Sequence, residues 1–545
     1  MKGACRKVVL GVAALVAATM AGGCGSGSVG QSRLLGTPPE LGTTIGSLVV
    51  VYAPETVEVE GYGLVGGLPG TGSLECPPQL RAYLKRYIHK QLPDYQIDVD
   101  RLIDSYNTAV VHVAGQMPAV SSRRRFDARV TALRGTQTTS LEGGWLYGAE
   151  LRLAGALGVA TRPVATAGGA IFTDRIGGSG GSKKEGYVLG GGRVLTDYKI
   201  NMVLKKPDFE TAGAIRNRLN ERFGYGTARA ITPARLELIV PPKYAKQKQR
   251  FVELVKATYL SETPELTRAR ILKYVKDLAV SEDKYASEIA LEAIGNASME
   301  KLSVLLNSSQ ERVRFHAGRC MLNLGSDEGL GALIEIALNR RSTLRVEALK
   351  ALTTSALRSD AAAIARRLLS DPDFGIRVAA YEQLRKLDDY TVTSELIGRS
   401  FYLDQVASSP YQGIYAYRSG GPRIVLFGPP IRCRENLFVQ SSDGRVALNA
   451  PRGQRYVTVV YKDPRRRGAI TKLNSTFGLA EIIRALCEEP GAKGEKGGGG
   501  LGVSYAEMIA LLKQMSDKGA ISAEFRYGPL PKIGVNVKRR QTSGR

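Results

Sequence analysis

The chain of 545 residues has few of the residue types that most often build enzyme centres and metal sites. It contains three histidines, His89, His112 and His316, a single tryptophan, Trp145, and six cysteines. The histidines form no HExxH pair and the cysteines form no CxxC pair, which argues against a zinc site. We expect each histidine to be structural, Trp145 to be a packing residue, and no metal, cofactor or catalytic residue to be present.

Four cysteines remain once two near the N-terminus are set aside. They are scattered along the chain: Cys76, Cys320, Cys433 and Cys487. One disulfide could form among them in an oxidising compartment, but the spacing does not say which pair.

Nucleotide-binding and hydrolase signatures are missing as well. Residues 61–66 read Gly-Tyr-Gly-Leu-Val-Gly and match GxGxxG literally. In a dinucleotide-binding fold a helix begins inside this motif and directs its first amide groups at the pyrophosphate. Here more glycines follow, and no helix is expected before Pro77. Ser73 stands where a Walker A motif needs lysine, and GxSxG is absent. These features disfavour dinucleotide binding and hydrolysis.

Long apolar runs are confined to the N-terminus. A positively charged start precedes apolar residues 8–20, which is typical of an export signal and too short to span a membrane. Small residues then lead to Cys24, as in the lipobox of bacterial lipoproteins, where this cysteine is acylated. The alternative is ordinary cleavage after Ala21. We expect a lipoprotein-type signal peptide over residues 1–23 and a flexible tether over residues 24–45.

Acidic residues are outnumbered, because 76 lysines and arginines face 51 aspartates and glutamates and give a formal net charge of +25. This excess predicts an anionic partner, such as an envelope polymer or an acidic protein surface, and export argues against nucleic acid. The alternative is charge that only maintains solubility. The candidate contacts are two runs of arginine: Arg123, Arg124, Arg125, Arg465, Arg466 and Arg467.

Residues 46–261 alternate short strands with short helices, which predicts a mixed α+β or α/β domain. Residues 47–53 are rich in valine and predict a buried strand, and residues 126–133 alternate as a half-buried strand does. Asp208 is the expected N-cap of a helix that ends at Gly224. Glycine-rich residues 177–186 and 190–192 are expected to be flexible loops.

Residues 262–392 are predicted to be helical and contain an internal repeat. An apolar residue, an arginine, two variable residues and an alanine recur, and the arginines lie 31 and 32 residues apart. The repeated residues are Arg314, Ala317, Arg345, Ala348, Arg377 and Ala380. The pattern resembles HEAT-type repeats, in which about four helix pairs would stack into an all-α solenoid. The alternative is an unrelated helical bundle.

Residues 393–530 return to β-rich sequence with two amphipathic helices. One helix carries an apolar stripe around Ile482 and the other around Met508. A last strand is expected at residues 520–525, and residues 531–545 predict a disordered basic tail.

The glycine-rich stretch also carries a resemblance to a known family. Residues 59–72 read Val-Glu-Gly-Tyr-Gly-Leu-Val-Gly-Gly-Leu-Pro-Gly-Thr-Gly and resemble the hallmark of the flagellar P-ring proteins. Later segments, such as residues 140–146 and 191–194, are similar to the family in the same order. The resemblance covers roughly residues 46–260 and 395–530, and the helical repeats interrupt it. The family-motif loop consists of Gly61, Tyr62, Gly63, Leu64, Gly67, Gly70, Thr71 and Gly72.

This resemblance implies a non-enzymatic, structural subunit of the basal-body P ring in the periplasm. Many identical copies would form a closed ring around the flagellar rod at the peptidoglycan layer, as a passive bushing below the outer-membrane ring. The implied partners are the protein itself, rod proteins, the outer-membrane L-ring protein and peptidoglycan. Two departures stand out: a lipid on Cys24 would be unusual, and Glu142 replaces a usually basic residue. The alternative is an outer-membrane lipoprotein adaptor that uses the same scaffold outside flagella.

Overall fold

The computed structural model describes residues 41–91, 98–119, 125–155, 162–176, 182–196, 199–463, 469–490 and 499–533. The predicted signal peptide, residues 24–40 of the predicted tether and residues 534–545 of the predicted tail lie outside these ranges, as do Cys24, five of the six candidate arginines and the glycine-rich residues 177–181, so the predictions for them stay predictions. The flexible tether is wrong at its end, because Leu41 and Ile45 are buried and Ile45 begins a helix. Within the described ranges, no helix has both the length and the apolar character to cross a membrane.

The described part of residues 41–262 combines ten strands with five α-helices. The strands are β1 (Val49–Tyr52), β2 (Thr56–Gly66), β3 (Ala109–Pro118), β4 (Arg125–Ala132), β5 (Trp145–Leu153), β6 (Ala165–Ala170), β7 (Glu185–Val194), β8 (Ile200–Leu204), β9 (Ala228–Thr232) and β10 (Arg235–Leu238). The helices are α1 (Ile45–Leu48), α2 (Pro78–Gln91), α3 (Val99–Ile103), α4 (Phe209–Phe223) and α5 (Lys248–Ala257).

Six of these strands close into a barrel in the order β2-β3-β4-β7-β6-β5, and every pair is antiparallel. Strand β4 alternates as predicted, because Phe126, Ala128 and Val130 face the interior. Helices α2 and α3 cover the outer side of β2, where Leu64 packs with Leu84. Inside the barrel, most side chains are small or β-branched, which suits the limited space of a six-stranded barrel.

Strand β2 corrects the expectation that the glycine motif is a loop from its start. Residues 61–66 belong to the strand, and the loop begins at Gly67. Gly61 is needed because a Cβ there would lie 2.2 Å from the carbonyl oxygen of Glu150 on β5. On the outer face of the strand, the Tyr62 ring meets His112 edge-on, with centroids 5.6 Å apart. The first half of the motif thus closes the barrel tightly.

A second, smaller antiparallel sheet has the order β1-β8-β10-β9 and packs against α4 and α5. The predicted caps of α4 are confirmed: Asp208 accepts a hydrogen bond from the amide of Thr211 at 2.6 Å, and Gly224 ends the helix with φ of 106°. The strand predicted at residues 47–53 is shorter than expected, because α1 takes residues 45–48.

Eight helices follow, which confirms the helical character of residues 262–392. They are α6 (Pro264–Val280), α7 (Lys284–Ile294), α8 (Met299–Leu305), α9 (Glu311–Leu324), α10 (Glu328–Leu338), α11 (Arg345–Ser355), α12 (Arg358–Leu368) and α13 (Phe374–Lys386). Most helices that follow one another in sequence pack against each other, whereas α7 packs against α6 and α9 rather than against α8. Whether this arrangement is a HEAT-type solenoid stays a prediction.

A buried ion-pair network joins the helices to the small sheet. Glu288 on α7 is fully buried and pairs with Arg250 on α5. From α9, Arg319 Nε donates to Glu288 at 2.7 Å, and His316 Nδ1 lies 2.6 Å away. Burial raises the pKa of Glu288, but Arg250, His316 and Arg319 outweigh burial and lower the pKa to about 2.

The C-terminal part holds nine strands and two helices in its described residues. The strands are β11 (Thr393–Ile397), β12 (Phe401–Val406), β13 (Gly413–Tyr417), β14 (Arg423–Phe427), β15 (Leu437–Gln440), β16 (Val446–Ala450), β17 (Val457–Lys462), β18 (Ile470–Ser475) and β19 (Glu524–Tyr527). The helices are α14 (Leu479–Cys487) and α15 (Tyr505–Asp517).

These strands form a five-stranded mixed sheet, β11-β12-β14-β13-β19, and a four-stranded meander, β15-β16-β17-β18. The two predicted amphipathic helices are confirmed, and both bury their apolar stripes in the core that the two sheets share. The last strand begins at Glu524, later than predicted. Phe374 and Tyr381 of α13 pack against this five-stranded sheet, so the helical segment ends inside the C-terminal core.

We predict that Glu288→Gln destabilises the protein at pH 7 by about 3–5 kcal/mol, because it leaves buried cations without their counter-charge. Since the folded-state pKa is lowered, the contribution of Glu288 is fully present above its ordinary pKa of 4.5 and is lost as the pH falls towards about 2. The free energy of unfolding, measured with urea at pH 7 and at a pH close to the lowered pKa of about 2, is the test. Glu347→Gln, at an exposed position on α11, is the control. A difference that stays constant down to pH 2 would contradict the account.

We also predict opposite effects for two glycine-to-alanine changes. Gly61→Ala should destabilise the protein by at least about 3 kcal/mol, which is the usual upper limit for one overpacked core position. Gly213→Ala should stabilise by about 0.5–1 kcal/mol, because alanine favours helix. Gly213 lies inside α4, and an added Cβ there meets nothing within 4 Å. Thermal unfolding of both variants is the measurement, and equal melting temperatures would count against a tight barrel seam.

Candidate functional site

The second half of the glycine motif, residues 67–73, forms a packed corner rather than a ligand loop. Gly67 and Gly70 have φ of 73° and 74°, which glycine adopts without strain. The amide of Gly72 donates to the carbonyl of Tyr106 at 2.8 Å, and a Cβ on Gly72 would lie 1.9 Å from the carbonyl oxygen of Thr108. Thr71 Oγ1 donates to the carbonyl of Ser140 at 2.9 Å. The amide of Gly72 is therefore committed to the protein's own backbone, and no helix begins at the motif to cradle a phosphate.

The repeated arginines lie at the beginning of α9, α11 and α13 and bond to the turns around them. Arg314 donates to the carbonyl of Ser308 at 2.8 Å, and Arg377 donates to that of Asp371 at 2.9 Å. Arg345 instead reaches the carbonyl of Ala337 and the side chain of Asp371. The repeated alanines are completely buried: Ala317, Ala348 and Ala380. The repeat residues thus stabilise helix packing and present no chemistry to solvent.

The histidines and cysteines lie apart from one another. His112 pairs with Glu60 at 3.1 Å and His316 belongs to the Glu288 network, whereas His89 is exposed on α2. The four cysteines of the described ranges are all free: Cys76, Cys320, Cys433 and Cys487. Burial raises the pKa of the Cys433 thiol to about 12, which makes it a poor nucleophile.

Two arginines and three carboxylates join the barrel to the C-terminal part. Arg175 follows β6 and pairs with Glu142 and, at 2.8 Å, with Asp443. Arg445 lies 3.3 Å from Glu507 and 3.6 Å from Glu142. The three carboxylates are close enough to one another for a cation, but each of them already pairs with at least one of the two guanidinium groups. Glu142, singled out as a departure from the family, is therefore a contact between two parts of the fold.

Asp127 on β4 makes a second link between these parts. Its carboxylate accepts hydrogen bonds from the amides of Gly190 at 2.6 Å and Gly420 at 2.8 Å. Burial raises the pKa of Asp127, although both amide bonds oppose the shift. A Cβ on Gly190 would approach Gly421 to 3.1 Å, so the two backbones nearly touch. Residues 190–192, expected to be a flexible loop, lie instead within β7 at this contact.

A cleft of about 760 Å³ opens where the barrel, α13 and the five-stranded sheet meet, and we name it the junction cleft. Five cationic side chains and one carboxylate line it: Arg125, Arg385, Lys386, Arg399, Arg423 and Glu382. Trp145, expected to be a packing residue, also lines it and is 49% exposed. Sequence reasoning missed the cleft because distant segments build its walls. Of the candidate arginines, Arg125 alone lies in the described ranges.

Comparison with known proteins places the resemblance on the N-terminal part of the chain. Residues 45–272 match the family model of the flagellar P-ring protein. The match ends within α6, near the predicted start of the helical repeats.

Curated relatives agree with this assignment. The flagellar P-ring protein of Caulobacter vibrioides is 29% identical over 232 residues, which are 39% of this chain and 60% of the relative. That of Anaeromyxobacter dehalogenans is 31% identical over 228 residues, which are 39% of this chain and 58% of the relative. That of Campylobacter jejuni is 33% identical over 195 residues, which are 33% of this chain and 53% of the relative.

The chain thus spans between half and three-fifths of the length of these relatives. Their names agree with the family that the glycine motif indicated. Over residues 45–272, therefore, the chain resembles the flagellar P-ring proteins.

Proposed function

We propose that this protein is a structural, non-enzymatic subunit of a flagellar P ring in the periplasm. The observation that carries the proposal is the family match of residues 45–272, which contain the whole barrel and the small sheet. The glycine motif supports it, because the motif builds the barrel wall and its corner and leaves no reactive group exposed. The net charge of +25 suits a subunit that faces anionic surfaces.

The small sheet offers a surface for self-association. Its edge strand β1 turns Val49 towards the core and leaves Val50 and Tyr52 on the opposite face, 44% and 54% exposed. An edge strand with apolar side chains is a ready contact for another chain. If it meets a different surface of the next copy, the contact is heterologous and repeats until a ring closes.

In this proposal the closed ring surrounds the flagellar rod at the peptidoglycan layer as a passive bushing, below the outer-membrane L ring. The partners are other copies of the protein, rod proteins, the L-ring protein and peptidoglycan. Weak, unspecific electrostatic contact with an acidic rod would permit rotation.

A second candidate is an outer-membrane lipoprotein adaptor outside flagella. Two observations favour it: the lipobox-like sequence at Cys24 and the eight helices of residues 264–386, almost all of which lie beyond the family match. An acylated Cys24 in the mature protein, detected by mass spectrometry, together with intact P rings in basal bodies of a deletion strain, would favour the adaptor.

We predict that the purified full-length chain forms rings visible by electron microscopy, and that Val50→Glu/Tyr52→Glu prevents them. Burying two carboxylates against an apolar partner surface would cost desolvation energy and prevent the contact. The monomer should unfold at an unchanged temperature. Tyr225→Glu is the control, because Tyr225 is fully exposed away from β1. Rings formed by the double variant would refute the role of β1. A P ring that persists in basal bodies of a strain lacking the protein would refute the function itself.

A further inference from the structure

The junction cleft has an unbalanced charge. Among the described residues one carboxylate lines it, Glu382, which already accepts a hydrogen bond from the Tyr417 hydroxyl at 3.0 Å. Of the five lining cations, Arg423 is neutralised by Asp404, a completely buried residue behind the wall. Among the others, Arg125 comes from β4, Arg385 from α13 and Arg399 from the turn between β11 and β12. The cleft is therefore cationic on several walls at once.

Two of these arginines are placed for an external partner. Arg399 is 84% exposed, and its carboxylate neighbour, Glu489, is 3.9 Å away at the rim. It occupies a turn in which both Gly398 and Arg399 have positive φ, 51° and 54°. Such a conformation is unfavourable for arginine and marks a position that the surrounding fold imposes. Arg385 lines the cleft, and its Nε has no hydrogen-bond partner among the described residues.

The floor of the cleft is open to a polypeptide backbone. Glycines at residues 168–169, 190–191 and 420–421 line it, and at Gly420 and Gly421 an added Cβ would meet nothing within 4 Å, so no side chain blocks a close approach there. Trp145 and Tyr402 flank the opening with 49% and 42% exposed. Aromatic rings beside arginines are typical of protein interaction sites.

We propose that the junction cleft binds an acidic segment of another protein in an extended conformation. Guanidinium groups form paired hydrogen bonds with carboxylates, and an extended acidic chain can present carboxylates to several walls at once. A compact anion would meet only one wall. The volume of about 760 Å³ lies within the ~300–1,000 Å³ that is usual for ligand sites. This proposal does not depend on ring assembly.

Because Trp145 is the only tryptophan of the chain, its fluorescence reports on the cleft directly. We would titrate the full-length protein with an eight-residue glutamate peptide. The expected result is a saturable change of Trp145 emission that weakens with added salt. An eight-residue lysine peptide should give none. No response to the glutamate peptide, or an equal response to the lysine peptide, would overturn the proposal.

Charge-reversal variants test the site itself. Arg125→Glu/Arg399→Glu should weaken binding of the glutamate peptide at least about tenfold, because two walls become repulsive. Arg455→Glu should leave the affinity unchanged, since Arg455 is exposed and does not line the cleft. Equal losses of affinity in both variants would show that net charge alone attracts the peptide, and would overturn the proposed site.

The same titration with an oligogalacturonate distinguishes an anionic glycan from a protein segment. Binding of the glycan with no binding of the peptide would overturn the proposed ligand class. Because each titration uses soluble full-length protein, a negative result here leaves the ring proposal untouched, and a failure to form rings leaves the cleft proposal untouched.

Discussion

The docking of the barrel onto the C-terminal sheets is the contact on which the other features of the molecule depend. Asp127 and Gly420, which are 293 residues apart in the chain, are joined by hydrogen bonds of 2.8 and 3.0 Å. Bringing such distant segments together costs loop-closure entropy, although this cost grows only slowly with length. The buried carboxylate and the ion pairs of Arg175 and Arg445 offset it. Without this contact the junction cleft would lack every residue that the barrel contributes to it.

The helical segment closes the structure from the other side. Ile289 and Ala293 of α7 belong to the core of the small sheet, and Phe374 and Tyr381 of α13 belong to the core that includes β12 and β14. Both ends are therefore held by apolar packing, and the Glu288 network fixes the first end further. The helical segment therefore packs at one end against the small sheet that carries β1 and at the other end against the sheet that lines the cleft. We infer that the helices contribute to the stability of the scaffold.

The sequence predicts this fold where the physical signal is local. Alternation marks β4, capping residues mark both ends of α4, and amphipathic stripes mark α14 and α15, because each depends on neighbours a few residues away. Local signals fail where tertiary contact decides. Glycines of β2 and β7 were expected in loops, but they lie in strands, where neighbouring backbone or side-chain atoms leave no room for a Cβ at positions such as Gly61 and Gly192. The place of Trp145 beside the cleft and the partnership of Glu142 with Arg175 both depend on a docking that spacing does not reveal.

Amide hydrogen exchange over residues 418–423 tests the central contact most directly, in the wild-type chain and in Asp127→Ala. The account predicts slow exchange of the Gly420 amide in the wild type, because Asp127 accepts its hydrogen bond in the docked state. Removal of the carboxylate should accelerate exchange at Gly420 and leave the strands of the five-stranded sheet protected. Fast exchange at Gly420 in the wild type, or no change in the variant, would contradict the docking of the two parts.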